Sequence, residues 1–124
     1  MQDVVLVTAD SARRDFVDAM PFVGAHDVLT GVTAGHYTRP SLAALQSARL
    51  RASVQSRVLR PSLAEVFADA GYTTIGLVPT AQADPGFDFD AGFEYYDNYM
   101  SGSGDNPAKN RRSGLREYLG SFDI

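Results

Sequence analysis

Cysteine is absent from the chain, so neither a disulfide framework nor a thiolate zinc site is open to it. No apolar run approaches the ~20 residues that a bilayer-spanning helix needs. Positive charge is scarce as well. The formal net charge is −4, whereas binding a phosphate backbone calls for a basic surface, which argues against a general nucleic-acid binder. Lysine is almost missing: ten of the eleven bases are arginine, Lys109 stands alone, and twelve of the fifteen acids are aspartate. That bias suits a high-salt cytoplasm, where carboxylates hold water at the surface, and equally suits GC-rich coding. Neither a basic segment nor a cleavage site accompanies the apolar run that follows Asp3. The expected location is therefore cytoplasmic, without a membrane partner.

What is present suffices for one domain. A chain of 124 residues, 44% of them hydrophobic, can bury roughly two thirds of its unfolded surface. It is too apolar for a disordered segment.

Residues 4–8 form a continuous apolar run with β-branched members, the pattern of a strand buried in a parallel sheet. Asp10 and Ser11 follow at its carboxyl end. Met20-Pro21-Phe22-Val23 opens a short helix that Gly24 weakens. Residues 28–33 alternate as a second strand, and residues 73–78 read as a third, closed by Pro79. Between them, residues 40–50 predict a helix with Leu42, Leu45 and Leu50 on its apolar side. Residues 51–60 are polar and unpatterned, a connecting loop. Ser62 and Glu65 stand in capping-box spacing before a helix whose apolar face is Leu63, Val66, Phe67 and Ala70. Gly71 suits a left-handed stop after it. Residues 83–99, rich in glycine, aspartate and aromatics, read as a packed loop.

Strands alternating with helices give the fold class: α/β, a short parallel sheet flanked by helices. The α/β segment is expected over residues 1–99, a flexible linker over 100–112 and a short helix over 113–124.

Two residues stand where chemistry is usual. Asp10 lies where a strand is expected to end, and open parallel sheets bind ligands outside the carboxyl ends of their strands. It reads either as a ligand for a hard divalent cation or as a cap for the next segment. Thr38 precedes Pro40, which favours the first turn of a helix. Thr38 is therefore at or next to the N-cap, its hydroxyl either capping the helix or held near a phosphate or sulfate by the helix amides and dipole. A cation on Asp10 that touched the hydroxyl would lower its pKa further.

Set in order, these segments resemble the amino-terminal portion of the sulfatase-like family of the alkaline phosphatase superfamily. Val5-Leu6-Val7-Thr8-Ala9-Asp10-Ser11-Ala12-Arg13-Arg14-Asp15 is similar to its opening strand-and-metal motif. The stretch Thr38-Arg39-Pro40-Ser41-Leu42-Ala43-Ala44-Leu45-Gln46-Ser47-Ala48-Arg49 resembles its nucleophile motif, Cys or Ser, any residue, Pro, Ser, Arg, then a helix ending in Thr-Gly-Arg. Pro61-Ser62-Leu63-Ala64-Glu65-Val66 through Ala70-Gly71-Tyr72-Thr73-Thr74 resembles the family's next helix and strand. Gly86-Phe87-Asp88 with Gly92-Phe93-Glu94-Tyr95-Tyr96-Asp97 resembles the loop that follows.

The resemblance implies a metal-dependent hydrolase or transferase of sulfate or phosphate esters. Asp10 and Thr38 would be metal ligands and Thr38 the catalytic nucleophile. The divalent cation would be Ca or Mg, with Mn or Zn as alternatives.

The departures are specific. Ser11 stands where a second metal Asp is usual. Thr38 cannot become the formylglycine of true sulfatases, although threonine is the nucleophile in the phosphoglycerol-transferase branch. Leu42 replaces the motif's arginine, and Ser47-Ala48-Arg49 keeps only the last residue of its ending. Family members are several times longer and carry their remaining ligands late in the chain. After Tyr99 this sequence offers Asp105, Asn106, Lys109 and Asp123, without histidine. One Asp and one Thr cannot fill a shell that wants about six oxygens.

Three function classes therefore stand. The first is a truncated sulfatase-like domain, not competent alone. The second is an active esterase or transferase whose missing ligands come from a partner chain. The third is a non-catalytic assembly or anion-binding domain. A shortened sheet would expose apolar edges, so self-association or a covering partner is expected.

The remaining candidates have plainer readings. Asp88, Asp90 and Gly92 are turn residues lacking the rest of a calcium loop. His36 is a partly exposed loop residue near Thr38, and His26 has no partner identifiable from sequence. Lys109, Arg111, Arg112 and Arg116 form the solvated face of the last helix. Phe87, Phe89, Phe93, Tyr95, Tyr96 and Tyr99 are packing residues.

Overall fold

The computed structural model describes residues 2–27 and 29–98. These fall into two compact units that divide between Val32 and Thr33. The linker expected over 100–112, the helix over 113–124 and the basic patch lie outside the described residues.

In the first unit a 3-10 helix, Arg14–Ala19, leads into α1, Pro21–Gly24. Pro21 occupies the first turn of α1, where its missing N–H costs nothing. This is the short helix that Met20-Pro21-Phe22-Val23 predicts. Residues 4–8, however, form no strand. Val4, Val5, Leu6 and Val7 are 59%, 84%, 60% and 81% exposed. The strand expected over 28–33 is likewise missing among the described residues, with Leu29 and Val32 almost wholly exposed. The reason is physical: an apolar β-branched run becomes a strand only when a neighbour takes up its N–H and C=O groups. No described residue of this unit lies in a strand that could do so.

The second unit holds the sheet and the core. Helix α2 runs over Thr38–Ser47 and α3 over Leu50–Gln55. Helix α4 spans Leu63–Asp69, and strands β1, Ile75–Val78, and β2, Tyr95–Asn98, follow. The strands pair in parallel, Ile75 opposite Tyr95 and Val78 opposite Asn98. The coarse expectation of helices with a short parallel sheet is met by this two-stranded arrangement.

Four details differ from the sequence reading. Tyr95–Asn98, expected within a packed loop, is strand β2, because its backbone pairs with Ile75–Val78. Residues 51–60 were expected as loop, but α3 occupies their first half, because Ala52 packs without exposure against the core. The buried residues of α2 are Pro40, Ala43, Ala44 and Ser47; of the expected leucine side Leu42 packs against the core, while Leu45 is 44% exposed and Leu50, in α3, 75%. Small side chains let neighbouring elements approach closely there. On α4, Ala64 is the buried residue while Leu63 and Val66 face outward.

Local chemistry sets the second unit's frame. Ser62 and Glu65 form the capping box reciprocally, and the Ser62 hydroxyl donates to the Ala91 carbonyl at 2.7 Å. Gly71 takes the left-handed conformation that ends this segment, at φ 86°. Thr74 fixes the register of the sheet. Its carbonyl accepts the Glu94 and Tyr95 N–H groups, and its hydroxyl donates to the Gly92 carbonyl at 2.7 Å.

Two glycines are required by close approach. A Cβ at Gly76 would lie 2.6 Å from the Tyr96 ring, and one at Gly92, where φ is +86°, would meet the Glu65 backbone nitrogen.

The core joins Ala43, Ala52, Val58, Ala83, Phe89 and Tyr96, with Phe87 and Phe93 packed against it. Phe87, Phe89, Phe93 and Tyr96 are thus packing residues, as expected, while Tyr99 lies outside the described residues. Tyr96 donates to the Ala83 carbonyl at 2.7 Å. Burial pushes its phenol well above the ordinary value, so it remains a neutral donor. Asn98 adds bonds to the carbonyls of Thr80 and Ala83 at 2.8 and 2.9 Å. No helix among the described residues is long and apolar enough to cross a membrane.

Candidate functional site

Thr38 is the first residue of α2. Tyr37 is the N-cap, in an extended conformation, and its side chain makes no cap bond. The segment before the helix is tied down by hydroxyls. Ser41 Oγ lies 3.0 Å from the Gly35 carbonyl and 2.9 Å from the Tyr37 carbonyl, and 2.8 Å from Thr33 Oγ1. The helix start is therefore held from within its own first turn. Thr38 is half-buried, and no acidic residue occupies that turn. With the dipole, this leaves a positive end suited to negative charge.

Beside this end runs an open groove of about 630 Å³, lined in part by Thr33, His36, Tyr37, Pro40, Ser53 and Ser56. The exposed His36 packs edge-on against the Tyr37 ring, with centroids 4.9 Å apart. Ser53 donates to the Ala34 carbonyl at 2.7 Å, closing one wall.

Arg39, the second residue of α2, is not among the residues that the sequence singles out. Its Nε donates to the Gln82 carbonyl at 3.0 Å, and its guanidinium carbon lies 3.8 Å from the Phe87 ring centroid. The available signal was a basic residue in a helix's first turn, a placement that opposes the macrodipole.

The rest of the resembled nucleophile motif serves packing. Leu42 packs against the core. The buried Ser47 accepts the Leu59 N–H at 2.8 Å. Ala48 ends α2 in the left-handed region at φ 50°, and Arg49 donates to the Arg60 carbonyl at 2.7 Å.

Asp10 belongs to the first unit and Thr38 to the second. Within its own unit Asp10 lies in a turn, not at the end of a strand. The Ala12 N–H bonds the Ala9 carbonyl at 3.5 Å, and Ser11 takes φ 60°. Asp88 and Asp90 are loop residues. Asp88 is left-handed at φ 62° and pairs with Arg57 at 2.9 Å.

Among the described residues no three of histidine, aspartate or glutamate gather as a cation site would require. The described donor set does not fit a complete divalent-cation shell.

The chain matches no known protein family, no curated protein and no solved structure.

Proposed function

We propose that this chain carries the early portion of a sulfatase-like ester site and does not turn over ester by itself. In this reading Thr38 supplies the hydroxyl that faces a sulfuryl or phosphoryl group. Asp10 supplies one oxygen to a divalent cation whose remaining ligands would come from a partner chain. The observation that carries the reading is the position of Thr38. It opens a ten-residue helix with no acid in its first turn, where an anionic group is electrostatically favoured. Half a site gives little transition-state stabilisation, hence the absence of turnover alone.

A titration of the chain with Mn²⁺, followed by the ion's magnetic resonance signal, tests the reading. Weak binding that is lost in Asp10→Ala is expected, because most of the shell is left to water. Equal binding by both proteins contradicts the role of Asp10.

A second reading, a domain for assembly, is favoured by the exposure of Val4, Val5, Leu6 and Val7. Contiguous exposed apolar surface marks association sites. Light scattering at high concentration tests it: oligomers support it, and a stable monomer contradicts it.

A further inference from the structure

We draw no further inference here: the strongest candidate, the exposed apolar surface patch of Leu50 and Val54, one turn apart on α3, carries none because nothing in the structure shows what covers it.

Discussion

Ser62 and Glu65 satisfy each other's backbone: the Ser62 hydroxyl accepts the Glu65 N–H at 3.1 Å, and the Glu65 carboxylate accepts the Ser62 N–H at 2.7 Å. The hydroxyl also donates to the Ala91 carbonyl. One buried serine thus caps α4 and fastens the glycine-rich segment. Ser62→Ala should cost about 1–2 kcal/mol, the loss of a cap compounded by an unsatisfied carbonyl. Urea denaturation of both proteins measures it; an unchanged midpoint would deny the cap its role.

Glu65 gives the chain a pH dependence on its acid side. Hydrogen bonds from the Arg60 side chain and then from the Ser62 N–H hold its carboxyl below the ordinary value. The folded state therefore keeps the carboxylate where the unfolded chain, with a pKa of about 4.3, takes up a proton. The stabilisation is fully present above that value and is lost as pH falls through the lower, folded pKa. Arg60 is largely exposed, so the effect is small and screened by salt. Denaturation at a series of pH values should show a shallower acid decline in Glu65→Gln than in the wild-type chain. Parallel declines would contradict the assignment.

Burial, rather than hydrophobicity alone, ranks the apolar positions. Phe89 is 0% exposed and the largest fully buried side chain among the described residues, while Leu63 is 36% exposed. Phe89→Ala should cost about 3–5 kcal/mol and Leu63→Ala less than about 2 kcal/mol. Equal losses in chemical denaturation would mean that α4 turns its leucine inward.

The features legible in the sequence are those that short-range chemistry decides. The Ser62 and Glu65 spacing and the left-handed Gly71 depend on a few neighbouring residues, and each is found where the sequence puts it; α2 starts at Thr38, two residues before the expected start at Pro40, with Tyr37 as its N-cap. The third expected strand survives as Ile75–Val78. What failed depends on partners distant in the chain. The run Val4-Val5-Leu6-Val7 has the composition of a buried strand, yet a strand exists only beside another. Conversely, Tyr95–Asn98 is a strand despite its Asp and Asn, because Thr74 and the β1 backbone take up its hydrogen bonds. Ala52 made a helix of an unpatterned stretch by packing, which periodicity cannot register. In the candidate site, Thr38 was legible as a helix-start hydroxyl. Arg39 was not, since its anchors, Gln82 and Phe87, are more than forty residues away.

The central claim is an ester site begun but not completed by this chain. The most direct measurement is turnover of aryl phosphate and aryl sulfate by the purified protein with Mg²⁺, Ca²⁺, Mn²⁺ or Zn²⁺, run beside Asp10→Ala and Thr38→Val. The account predicts that the wild-type chain shows no turnover above either variant. Turnover that disappears in both variants would contradict it, showing a working site within the chain.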